Sequence, residues 1–89
     1  MVRKRLKIFG LVQGVGFRYQ SFSLAQTMNL VGWVKNNSDG SVSIEVQGEQ
    51  QKIRDFIECL HTKIRFARID RIEEVTIQLQ SESSFKINQ

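Results

Sequence analysis

The sequence predicts an α+β fold: an antiparallel sheet of four to five strands with two helices on one face, in the order β-α-β-β-α-β. Three observations predict it. Several segments alternate apolar and polar residues at the period of a strand. Two others carry apolar residues at spacings of three and four, the period of a helix. The 89 residues include no proline, so glycine and asparagine must mark the breaks. The length suits one small domain, taken as residues 1–89.

Each element follows from its local pattern. Residues 4–12, "KRLKIFGLV", place Leu6, Ile8, Gly10 and Val12 on one face and read as a strand. Residues 19–28 place Ser21, Leu24, Ala25 and Met28 on one helical face, with Phe22 on its flank. Asn29 follows and suits the left-handed conformation that ends helices. "VGWVKN" at 31–36 is β-prone, and "SVSIEVQ" at 41–47 alternates through Val42, Ile44 and Val46. Asp39-Gly40 between them signals a hairpin. Residues 50–64 form a helix with a stripe of Ile53, Phe56, Ile57, Leu60 and Ile64. Val75, Ile77 and Leu79 mark another strand, and Phe85 and Ile87 a short last one. Two helices on one face of such a sheet make the ferredoxin-like sandwich.

Composition narrows the function. Apolar residues at 40% and charged residues at 25% are the balance of an ordinary globule, and no apolar run approaches the roughly 20 residues that span a membrane. The basic start "MVRKRLKIFG" lacks a long apolar segment and a cleavage site, so the expected location is the cytoplasm, with no membrane partner. The single cysteine, Cys59, excludes an internal disulfide and reads as a small apolar filler. Cys59 and His61 stand two apart on a helix and do not face each other, so no metal site is expected. A net charge of +4 favours anionic ligands without choosing among them.

One stretch carries chemistry. "GLVQGVGFR" at 10–18 lies between the first strand and the first helix. The first N–H groups of a helix lack intrahelical partners, and the helix dipole makes that end partly positive. A loop feeding it can turn its own N–H groups inward around an anion. Gly14 and Gly16 permit the backbone angles this needs, and Arg18 adds a planar fork of donors suited to phosphate oxygens. The nucleotide-hydrolase loop needs Lys-Ser or Lys-Thr where Phe17-Arg18 stands, and the dinucleotide fingerprint needs a third glycine. Spacing alone leaves open a plain turn with an exposed arginine. Asn36 and Asn37, at the end of the second predicted strand, are turn residues or a water-orienting amide.

Together, "GLVQGVGFR", "VGWVKNNSDGSV" at 31–42 and the closing "FKI" resemble the acylphosphatase family over essentially the whole chain. The resemblance implies a hydrolase, free of metal and cofactor, that cleaves acyl phosphates to a carboxylate and inorganic phosphate. It implies catalytic roles for Arg18, which binds phosphate, and Asn36, which positions the attacking water. It assigns phosphate binding to Gln13, Gly14, Val15, Gly16, Phe17 and Arg18. Phosphoryl transfer needs mainly positioning and charge stabilisation, which backbone donors and a guanidinium supply. A monomer is expected. The segment "KIRFARID" at 63–70 lacks the family's frequent Gly-Pro, so either its loop differs in shape or the helix runs on through Ile64.

Two alternatives stand beside this reading. One is a phosphate-binding module without catalysis. The other is RNA binding through the same element order, with Arg3, Lys4, Arg5, Lys63, Arg65, Arg68 and Arg71 as basic patches. RNA readers of this fold place aromatics on the central strands, and "EVQGEQ" offers none, so those cations read as solvated surface and no nucleic-acid partner is expected.

Overall fold

The structure is a computed structural model that describes residues 1–88. The chain order is β1 (Val2–Leu11), α1 (Phe17–Thr27), β2 (Val31–Asn36), β3 (Val42–Gly48), α2 (Gln50–Lys63), β4 (Arg68–Ile77) and β5 (Phe85–Ile87). The strands form one sheet in the order β4-β1-β3-β2-β5. Both helices contribute to one core. Leu6 and Ile8 of β1, Ile44 and Val46 of β3 and Val34 of β2 meet Phe17 and Ala25 of α1 and Ile53, Phe56 and Leu60 of α2 there. This is the expected ferredoxin-like α+β sandwich.

One detail of the expectation is corrected: the sheet is mixed. β5 pairs parallel to β2, with Gly32 opposite Phe85 and Val34 opposite Ile87. β4 and β5 occupy opposite edges, so the segment 78–84 must cross the sheet between them. It crosses the face opposite the helices, where Gln47 Nε2 donates to the Gln80 carbonyl and Gln80 N–H donates back to Gln47 Oε1, both at 2.9 Å. Having crossed, the chain re-enters the sheet in the direction of β2.

The crossing segment also explains why Arg3 is not solvated surface. Arg3 has no solvent exposure. Its guanidinium meets Glu45 Oε1 at 2.9–3.0 Å and Glu82 Oε1 at 2.6 Å. Arg5 donates twice to the other oxygen of Glu45, at 3.0 and 2.8 Å. Burial opposes ionisation of Glu45, but the hydrogen bonds from Arg5 and Arg3 outweigh it and hold its carboxyl below the ordinary value.

The fourth strand begins earlier than its sequence pattern suggests, at Arg68, and ends before Leu79. A bulge causes this. Phe9 faces Arg71 while Gly10 faces Ile69, leaving Asp70 as the extra residue. Ile69 and Ile72 therefore share the core side at a spacing of three, which hides the strand period. The helix α2 does not run on through Ile64, which is extended at φ −77° and ψ 128°. The loop after it carries Phe66 at φ 68°. Gln20 holds this loop to α1, accepting from Arg65 N–H at 2.8 Å and donating to its carbonyl at 2.9 Å. At the other end of the molecule, Asn29 takes φ 56° and closes α1 as expected: its N–H reaches the Gln26 carbonyl, and Leu30 N–H the Ala25 carbonyl.

Candidate active site

β1, β2 and β5 all run toward the end of the sheet where α1 begins. Val12, 1% exposed, pins the chain into the core as it leaves β1. The loop then turns through Gly14 at φ 74° and Gly16 at φ 77°. These are left-handed conformations that disfavour a Cβ, so both glycines are needed for their backbone. A Cβ on Gly14 would meet nothing within 4 Å, so the loop opens onto free space at that point.

Gly16 is the N-cap of α1, and among the described residues no side chain caps this end. No acidic residue lies in the first turn. The partial positive charge of the helix start is therefore left unneutralised. Arg18 sits in that first turn. Its Nη1 reaches the Asn88 carbonyl at 3.4 Å, a long contact that holds the guanidinium loosely. Asn88 is itself fixed by its N–H on the Val34 carbonyl at 2.8 Å.

Asn36 ends β2, opposite Val42 of β3. Its Oδ1 is buried and finds no hydrogen-bond partner among the described residues. Buried polar atoms are normally paired, so this oxygen marks a place for a ligand or water. The hairpin beyond it is laced tightly. Asn37 Nδ2 donates to Ser41 Oγ at 2.9 Å and Ser43 Oγ at 2.8 Å. Asp39 accepts from the Ser41 side chain and N–H, and Lys7 stands 3.2 Å away. These contacts, the Ser41 hydroxyl first, lower the Asp39 carboxyl to about 2.

A cavity of about 220 Å³ joins these parts. Val12, Gly14, Gly16, Phe17, Arg18, Tyr19, Asn36 and Ile87 line it. Arg18 and Asn36, eighteen residues apart in the first turn of α1 and at the end of β2, thus share one space. Of the residues assigned to phosphate, Gly14, Gly16, Phe17 and Arg18 reach the wall. Val15 packs against the core. The Gln13 side chain turns to the hairpin, where Nε2 donates to the Asn37 and Ser41 carbonyls, each at 2.8 Å. It clamps the glycine loop to the strand end that carries Asn36. Sequence reasoning had no signal for this clamp, nor for Tyr19 and Ile87 in the wall.

Unpaired backbone donors, a guanidinium and an uncharged amide around one small cavity define an oxyanion-binding domain. Comparison with known proteins narrows the class. The acylphosphatase family model matches residues 4–87. An acylphosphatase of Leuconostoc mesenteroides is 44% identical over 81 residues, covering 90% of each chain. That of Clostridium acetobutylicum is 42% identical over 88 residues, covering 98% of this chain and 97% of its own. The crystal structure of acylphosphatase from Bacillus subtilis superposes with a TM-score of 0.95 at 33% identity, over the whole of both chains. The chain belongs to the acylphosphatase family, hydrolases of the acid anhydride in acyl phosphates. The substrate class is therefore an acyl phosphate, with inorganic phosphate as a product. No helix among the described residues is long and apolar enough to cross a membrane.

Proposed function

We propose that the chain, acting as one domain over residues 1–89, hydrolyses acyl phosphates at the cavity between α1 and the end of β2. The loop N–H groups of residues 14–18 and the Arg18 guanidinium hold the non-bridging phosphate oxygens. Asn36 Oδ1 accepts a hydrogen from the attacking water and aims its lone pair at phosphorus. The water oxygen bonds to phosphorus as the bond to the acyl oxygen breaks. The electron pair leaves with the carboxylate, and the water's proton passes to solvent. A carboxylate departs readily without a protonated acid beside it. The lining includes no carboxylate, histidine or cysteine among the described residues, and this chemistry asks for none.

The single observation that carries this reading is that Asn36, whose buried Oδ1 has no partner among the described residues, lines the same cavity as Arg18. We take the reaction to be independent of metal and the protein to act as a cytoplasmic monomer without a nucleic-acid partner. Arg5, Lys7 and Arg71 on the open sheet face are each matched by a carboxylate, which reduces its free positive charge, among the described residues, to Lys35 and Lys86.

The test is hydrolysis of benzoyl phosphate, followed by absorbance with a chelator present. The parent should exceed the spontaneous rate. Arg18→Ala should weaken competition by inorganic phosphate strongly, and Arg18→Lys should not restore it, because a point charge cannot reproduce a fork of donors. Asn36→Ala should lower kcat and leave phosphate competition nearly intact. A parent that binds phosphate but does not exceed the spontaneous rate would make the domain a binding module. Equal losses of phosphate affinity in both variants would defeat the division of roles.

A further inference from the structure

The phosphate end of the substrate accounts for only part of the cavity. Gly14 and Gly16 offer backbone, and Arg18 and Asn36 offer polar groups. Val12 and Phe17 are each 1% exposed and form the floor. Two lining side chains remain, and both offer apolar surface open to solvent: the ring of Tyr19, 67% exposed, and Ile87, 37% exposed.

Both flank the guanidinium by chain connection. Tyr19 follows Arg18 in the first turn of α1. Ile87 precedes Asn88, whose carbonyl receives the Arg18 donor. Each is also held in place. The Tyr19 ring leans on Phe22, centroids 6.3 Å apart, and Phe22 leans on Phe85 at 6.4 Å. Phe85 is buried in the core. Ile87 is fixed by the parallel pairing of β5 with Val34 of β2. An apolar wall has thus been braced at the mouth of a site whose remaining contacts are polar.

We propose that Tyr19 and Ile87 form the rest for the acyl group and make the site selective for neutral, apolar acyl phosphates, aromatic ones ahead of acetyl. The inference rests on the catalytic reading above. Phosphate held by Arg18 places its acyl substituent beside the two residues that bracket Arg18. An aromatic acyl group lies against the Tyr19 ring in the offset or edge geometry that aromatic pairs prefer. An acyl group bearing its own carboxylate or ammonium finds no countercharge in the wall besides Arg18, which phosphate occupies. Acetyl is too small to cover either side chain.

The experiment compares kcat/KM for benzoyl phosphate and acetyl phosphate in the full chain. The parent should favour benzoyl phosphate after correction for the spontaneous rates. Tyr19→Ala should lower the benzoyl-to-acetyl ratio by roughly fivefold, the size expected from losing one aromatic contact. Ile87→Ala should lower it by a smaller factor, and Tyr19→Phe should keep it. Tyr19 is exposed, so its loss does not disturb the core, and the ratio cancels any general loss of active protein. A ratio preserved in both alanine variants overturns the inference and leaves the catalytic reading standing. A parent that hydrolyses neither substrate overturns both.

Discussion

Replacing Glu45 by glutamine tests what holds the crossing segment to the centre of the sheet. The Glu45 side chain is 4% exposed and receives Arg3 on one oxygen and Arg5 on the other. The two partners differ. Arg5 is 56% exposed, so its pair is screened by solvent and contributes at most about 1 kcal/mol. Arg3 has no exposure, and removing the partner of a buried charge costs about 3–5 kcal/mol. Glu82 still faces Arg3, which argues for the lower end, about 3 kcal/mol. A domain of this length is stable by roughly 4–13 kcal/mol, so the loss is a large fraction of the whole. In a thermal melt it corresponds to a Tm lower by about 12–24 °C. Circular dichroism in parallel with urea unfolding reads it directly. The pair as a whole is a different matter, because desolvation offsets much of its attraction. Arg3→Met combined with Glu45→Leu should therefore be less destabilised than Glu45→Gln alone. A Glu45→Gln protein melting within about 4 °C of the parent would refute the reasoning, since that is the shift expected from an exposed pair.

Two further outcomes are expected. Gly16→Ala should lower stability by about 1 kcal/mol, or about 4–8 °C in Tm, through its φ of 77° alone, because the new Cβ would meet only Gln20 Nε2 at an ordinary 3.7 Å; an unchanged or higher Tm would contradict this. Asp39 titrates near 2 in the folded chain against 3.8 ordinarily, so its stabilising contribution is present above pH 3.8 and is lost as pH falls toward 2. An NMR titration of its carboxyl carbon should show the low midpoint, and Ser41→Ala should move that midpoint upward.

What the sequence disclosed follows from what is local. β1, β2, β3 and α2 were legible because each turns one apolar face to the helix-side core, and that face writes a period of two or three to four into the chain. β4 was half hidden because the bulge opposite Gly10 changes its period midway, putting Ile69 and Ile72 on one side. The parallel partner of β5 was invisible, since three residues carry no record of which edge receives them. Arg3 looked like surface because its burial depends on Glu82, some eighty residues away, being carried across the sheet. The same division holds at the site. The glycines, Arg18 and Asn36 lie within two compact motifs whose spacing shows in the sequence. The resemblance assigns Gln13 to phosphate binding, and only the fold reveals that its side-chain amide bridges the loop to the hairpin. Tyr19 reads as an ordinary helix residue until β5 brings Ile87 beside it.

The crossing segment links these two halves of the molecule. Ile87, which walls the cavity, ends β5, and Asn88, which receives the Arg18 donor, comes directly after it, so both lie just beyond the segment that crosses the sheet. That strand has only three residues in its ladder, too few to be held by pairing alone. Its position is set by Phe85 in the core on one side and by the anchored segment 78–84 on the other. The anchor is the cluster of Arg3, Glu45, Gln47 and Glu82 on the face away from the helices. Short edge elements with few buried contacts open at lower free energy than the sheet they join. Loosening that cluster should therefore free β5 before the sheet unfolds, and with β5 the Arg18 contact is lost. In Glu45→Gln, phosphate affinity should decline at temperatures where the sheet is still intact. Loss of phosphate affinity only together with the sheet would mean that β5 holds its place without the cluster.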